Sequence, residues 1–162
     1  MTVTVMRQIK FCAGHRLLGH EGKCANFHGH NYIAQIFVTG NETDELGRVV
    51  DFSVINKLFK GWLDEHWDHG MLVWTKDEEA VQAISQMSMN RLYCMPYNPT
   101  AENMAKYLLL EVAPDLIAQI EGYDVQVTKV VIWETENSAA EVCLSERVEN
   151  GVSSSTINSA MH

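Results

Sequence analysis

The chain has no run approaching the roughly 18 consecutive apolar residues that a membrane helix requires. Its opening residues, MTVTVMRQIK, lack the apolar segment of a secretory signal. A cytoplasmic protein with no membrane partner is therefore expected. Cysteine is scarce: Cys12, Cys24, Cys94 and Cys143 are scattered with no CxxC pair, which argues against the dense disulfide framework of a small secreted scaffold. Positive charge is in deficit too. Twelve Lys and Arg against 21 Asp and Glu leave a formal net charge of -9, and this argues against a nonspecific nucleic-acid surface, because phosphate backbones are met by clustered cations. No internal repeat or interdomain linker is evident. What remains is an ordinary globular composition, 162 residues with 46% hydrophobic. It predicts a single domain over residues 1–148 and a flexible tail over 149–162 (ENGVSSSTINSAMH).

Within that domain, Val3, Val5, Ile9 and Phe11 share one parity, the mark of a strand with one buried face. Residues 30–39 (HNYIAQIFVT) read as a second strand. The intervening segment is too long and too rich in Gly and His for a tight hairpin, and long connections of this kind usually carry function. Ser53 is positioned to cap a helix in which Ile55, Leu58, Phe59 and Trp62 recur at helical spacing. Thr100 does the same for a second helix over 101–112, with Met104, Leu108 and Val112 on one face. VQVTKVVIWE and SAAEVCLS, joined by a short polar turn, form a hairpin. The expected class is α+β, in the order ββααββ, with an antiparallel four-stranded sheet and two main helices on one face. Residues 77–95 are read as a helical insertion.

Three of the seven histidines, His15, His28 and His30, fall within sixteen positions. The two-residue step between His28 and His30 turns both imidazoles to one face of a strand, and Gly29 leaves the other face open. His15 shares the parity of Phe11 and Ala13, so pairing of the first two strands brings it beside them. Three imidazoles suit a zinc ion, with a fourth position left for water or substrate. A closed Cys-His₃ site with Cys24 as the fourth ligand is an alternative that spacing leaves open.

The motifs FCAGHRL, KCANFHGHNY, VVDFS, WDHG, PTAEN and VIWET together resemble the 6-pyruvoyltetrahydropterin and 6-carboxytetrahydropterin synthase superfamily, in family order over about residues 9–145. The three-residue spacing between Cys24 and His28 resembles the bacterial carboxytetrahydropterin branch. Gly70 departs from it, standing where that branch often has a second histidine. The resemblance implies the tunnelling fold (T-fold), assembled as a homo-oligomer, a hexamer, with pterin sites between subunits. It implies zinc on His15, His28 and His30, a catalytic thiol at Cys24, a catalytic Asp68–His69 pair and a pterin-anchoring carboxylate at Glu134.

It also implies the reaction: 7,8-dihydroneopterin triphosphate converted to 6-carboxy-5,6,7,8-tetrahydropterin, acetaldehyde and triphosphate, towards queuosine and other 7-deazapurines. The alternatives are a 6-pyruvoyltetrahydropterin synthase, which keeps the three-carbon side chain, and a noncatalytic pterin-binding protein with a structural zinc site. Cys12, Cys94 and Cys143 read as ordinary thiols. Arg16, His20 and Lys23, in the same loop as Cys24, are candidates for a cationic patch facing the triphosphate.

Overall fold

The computed structural model describes residues 1–144; the expected tail over 149–162 lies outside the described residues. Two long strands, β1 (Val3–His15) and β2 (His28–Gly40), pair antiparallel along their whole length, from Val3 opposite Gly40 to His15 opposite His28. Alternation explains the pairing. Ile9, Phe11 and Ala13 of β1 and Tyr32, Ala34, Ile36 and Val38 of β2 are all buried on one face, and the residues between them face the other way. Both strands run further toward the central loop than sequence pattern indicated, so His15 and His28 lie inside the ladder.

The expectation of a four-stranded antiparallel sheet is corrected. The sheet has six strands and is mixed, in the order β4 (Leu92–Met95), β3 (Gly70–Trp74), β1, β2, β5 (Val125–Thr135), β6 (Ser138–Cys143). Strand β3 (Gly70–Trp74) runs parallel to β1, and β4 (Leu92–Met95) runs parallel to β3. Both are only four or five residues long, and Leu72 and Val73 are consecutive buried residues. Alternation is therefore missing, and this is the pattern by which a strand is read from sequence. On the other side, β5 (Val125–Thr135) and β6 (Ser138–Cys143) form the expected antiparallel hairpin. The insertion does contain a helix, α2 (Glu78–Ser85), packed through Ala80 and Ile84 on Val73.

Helix α1 (Phe52–His66) and the helical run α3 (Ala101–Tyr107), Leu108–Val112 and α4 (Ala113–Ile117) bury Ile55, Phe59, Leu63, Met104, Leu108 and Leu116 in one core with the sheet. The α1 cap is Asp51 and not Ser53: its carboxylate accepts from Ser53 N–H at 2.8 Å, satisfying one of the free donors at the helix start. Thr100 caps α3 as expected, through Asn103 N–H. Leu108–Val112 widens into a π-helical stretch just before Pro114, which has no N–H to return to the preceding turn.

Two contacts hold the β1–β2 connection against the rest of the chain. Arg16 grips Asp77, the α2 cap, through two bonds of 2.6 Å. Asn98, just before α3, exchanges two 2.9 Å bonds with the backbone of Leu18. Asp77 is only 2% exposed. Hydrogen bonding from Arg16 holds its carboxyl below the ordinary value, against the opposing effect of burial. A depressed carboxyl contributes stability that is complete above its unfolded pKa of about 3.9 and is lost as pH falls through the folded value. Arg16→Ala is expected to cost about 3 kcal/mol at pH 7, because it strands a buried carboxylate. The gap from the parent protein should narrow below about pH 4. Urea unfolding on both sides of that pH checks it, and an unchanged gap would reduce Arg16 to a packing role.

Candidate metal centre and active site

The β1–β2 register puts His15 directly opposite His28, with His30 two residues along the same face. Gly29 allows this close approach: a Cβ there would stand 2.9 Å from the Ala13 carbonyl oxygen. The three imidazoles converge, with one ring nitrogen from each within 4.8 Å of the others. His15 Nδ1–H donates to the Pro99 carbonyl at 2.7 Å, and His28 Nδ1–H donates to the Asn26 carbonyl at 2.8 Å. These carbonyls fix the tautomers. Both Nε2 atoms are then left with lone pairs, and they face each other across 3.1 Å.

Two facing lone pairs repel unless a cation stands beside them. His30 Nε2 is buried without a hydrogen-bond partner, its closest carboxylate oxygen being Glu134 Oε1 at 3.5 Å. Burial holds the His15 imidazole below its ordinary value, more strongly than the Pro99 carbonyl raises it, and neighbouring His28 acts in the same direction. Neutral imidazoles are what a metal needs. The donor set, its tautomers and its orphaned nitrogen therefore fit a divalent ion with an outer shell already in place. Tyr32, overlooked in the sequence, lines this cluster with its hydroxyl 3.3 Å from His15 Nδ1. Burial, the largest influence, pushes its phenol pKa up, so it remains protonated.

Glu134 sits on β5 where the pairing with β6 shifts register between Trp133 and Thr135. Its side chain is half-buried beside His30. Asp68 and His69 occupy the turn between α1 and β3. Asp68 accepts from Cys12 N–H at 2.9 Å and from His69 Nδ1–H at 2.8 Å. Burial raises the Asp68 carboxyl, but these donors bring it below its ordinary value. His69 therefore presents a free Nε2, on a ring that is 78% exposed, from a backbone with φ of 56°. A cleft of about 560 Å³ is lined by His28, His30 and His69 together with Cys12 and Asn31.

Cys24 is placed differently. It lies on a single 3₁₀ turn, Lys23–Ala25, half-buried. Among the described residues, the metal-sized clusters are His15–His28–His30 and Cys12–Asp68–His69, and Cys24 belongs to neither. Within one chain the thiol beside the Asp68–His69 pair is that of Cys12, a residue which sequence reading set aside. Arg16 is committed to Asp77 and Glu79 and so is not free for a phosphate. Lys23 has no such partner among the described residues, and His20 Nδ1 accepts from Gly22 N–H.

Residues 4–144 match the family described as 6-pyruvoyl tetrahydropterin synthase. The chain belongs to that family. A 6-carboxy-5,6,7,8-tetrahydropterin synthase of Rickettsia bellii is 43% identical over 136 residues, covering 84% of this chain and 96% of the relative. An uncharacterized protein of Wolinella succinogenes superposes with a TM-score of 0.71 at 21% identity, covering 90% of this chain and 99% of that one. A catalytic-residue mutant of Plasmodium vivax 6-pyruvoyltetrahydropterin synthase does so at 0.66 and 17%, covering 88% and 97%. The fold is therefore that of the 6-pyruvoyl tetrahydropterin synthase family, and the α+β class stands with its sheet corrected as above.

His28→Ala is expected to weaken metal binding at the three-histidine cluster by more than about 100-fold, since even outer-shell partners of a metal are worth 10–100-fold. Calorimetric titration of chelator-treated protein with zinc checks this. Undiminished affinity would remove His28 from the ligand set.

Proposed function

We propose that the protein is a zinc-dependent 6-carboxy-5,6,7,8-tetrahydropterin synthase acting on 7,8-dihydroneopterin triphosphate, with loss of acetaldehyde and triphosphate, in a cytoplasmic route to queuosine and other 7-deazapurines. The observation that carries this reading is the convergence of the three imidazoles of His15, His28 and His30 on one metal-sized cluster, two of them with tautomers fixed by backbone carbonyls. The 43% identity to a relative of that name supports the substrate and product.

Zinc, when bound by His15, His28 and His30, would supply Lewis acidity toward the side-chain oxygens of the substrate. Glu134 would pair the N–H donors of the pterin with its two oxygens, an arrangement in which a carboxylate exceeds an amide. Cys24 would act as thiolate, taking and returning a proton during tautomerisation, triphosphate elimination and carbon–carbon cleavage. His69 Nε2, with its other nitrogen fixed by Asp68, would exchange protons with it.

Because Asp68 and His69 cluster with Cys12 of their own chain, this role assigns them to the Cys24 of a second copy, across a homo-oligomeric interface. The hexamer belongs to the same proposal. A closed Cys-His₃ structural site is disfavoured by the absence of Cys24 from the metal-sized cluster of histidines.

Zinc-loaded protein incubated with 7,8-dihydroneopterin triphosphate is expected to release acetaldehyde and yield the 6-carboxy product by mass analysis. A product retaining the three-carbon side chain would instead make the protein a 6-pyruvoyltetrahydropterin synthase. Cys24→Ala should abolish turnover by at least about 100-fold, the lower range for a general acid or base, while the tightly bound zinc is kept. Co-loss of that zinc would restore the structural-site reading. For Glu134→Gln, pterin binding is expected to weaken with zinc retained; equal affinity in parent and variant would exclude Glu134 from the pocket.

A further inference from the structure

The Cys12 side chain is not used by the chemistry proposed above. Its position follows from strand geometry: β1 turns Phe11, Ala13 and His15 to the core, so Cys12 lies on the opposite face. Parallel pairing of β3 beside β1 then brings the Asp68–His69 turn against it, where His69 N–H donates to the Cys12 carbonyl at 2.7 Å. Cys12 Sγ stands 3.7 Å from Asp68 Oδ1, 3.7 Å from His69 Nε2 and 3.8 Å from His69 Nδ1. Near-equal distances to both ring nitrogens mean that the thiol is directed at neither lone pair. The contact is thus a poor S–H···N hydrogen bond.

A cation can be shared by the three donors once the His69 ring turns one lone pair toward the thiol. In a tetrahedral site with metal–sulfur bonds of about 2.3 Å and metal–nitrogen or metal–oxygen bonds of about 2.0–2.2 Å, neighbouring donors are about 3.5 Å apart. Here the thiol, imidazole and carboxylate donors all fall within 4.8 Å of one another. We propose that Cys12, Asp68 and His69 form a second divalent-cation site, for a borderline-soft ion of the zinc type, distinct from the three-histidine cluster and opening into the same cleft.

The donor chemistry selects the ion, because a thiolate with an imidazole suits zinc-like metals, whereas magnesium and calcium take oxygen alone. Two of the three donors are already held: Cys12 by the β1 ladder and Asp68 by Cys12 N–H. The exposed His69 ring has to turn, at the expense of its 2.8 Å bond from Nδ1 to Asp68. Binding replaces the thiol proton, which passes to solvent, so affinity rises with pH. Like the histidine cluster it has three protein donors, and it is the weaker of the two because the His69 ring must turn before it can bind. A filled second site also occupies a His69 lone pair. On the function proposed above, excess metal therefore inhibits turnover, but the binding itself does not rest on that reading.

Titration of metal-free protein with Co²⁺ alone, as a coloured stand-in for zinc, tests the site without any turnover. Two equivalents per chain are expected, the weaker one bringing a thiolate-to-cobalt charge-transfer band in the near ultraviolet. Cys12→Ser and, separately, His69→Asn, which tolerates the positive φ, should each abolish the weaker equivalent and its band while the tighter one stays. His28→Ala should do the reverse. A single equivalent in the parent, a band that survives Cys12→Ser, or one that disappears in Cys24→Ala would overturn the site.

Discussion

The pairing of β1 with β2 is the constraint on which the remainder of the site depends. Side chains alternate with a period of two, so a slip of one residue would carry a whole set of side chains to the other face. The register is fixed by the buried rows Ile9–Phe11–Ala13 and Tyr32–Ala34–Ile36, which exposure would penalise by roughly 1.5–3 kcal/mol for each large side chain. Those apolar rows thereby decide that His15 meets His28 and that His30 lies beside both. The metal-binding geometry is thus a consequence of core packing, built on rigid strands where donor positions are best defined.

The same alternation separates two kinds of chemistry. One face of β1 offers an imidazole, His15, whose tautomer is fixed by Pro99, and the other offers the thiol of Cys12 against the Asp68–His69 turn. Small residues make the end of the ladder thin, since Gly14 and Gly29 are paired there, and the cleft touches side chains from both faces. Parallel β3 is what brings His69 to this end, so the departure from a purely antiparallel sheet has a direct effect on the site.

The sequence was most legible where one periodicity ran long enough to be seen. β1, β2, the β5–β6 hairpin and the buried faces of the main helices carry clear period-two or helical patterns, and the histidine cluster followed from motif and strand parity together. β3 and β4 were hidden because they are short and because Leu72 and Val73 are adjacent buried residues. Asp51 displaced Ser53 as the α1 cap since either residue type satisfies the same free N–H groups, and only backbone geometry chooses between them. Cys12 passed as an ordinary thiol because its neighbours, Asp68 and His69, are 56 and 57 positions away, joined to it by a parallel pairing that no local pattern announces. Glu134, Asp68 and His69 were visible through motif resemblance; their partners were not.

How an acidic chain receives a triphosphate follows from what its loop cations are already doing. Arg16 carries the most localisable charge near the histidines, yet two carboxylates occupy its guanidinium and the face of Phe27 stacks on it at 4.8 Å. This grip anchors one end of the loop to the α2 insertion while Asn98 fastens Leu18 and Leu17 N–H donates to the Cys24 carbonyl. Asn26 closes the other end through its carbonyl on His28. The loop that bears Cys24 is therefore pinned at both ends, and the ordering cost of placing its thiol is met in folding. An arginine used in this way contributes position in place of charge. Lys23, next to Cys24 on the 3₁₀ turn, differs from Arg16 in having no carboxylate partner among the described residues.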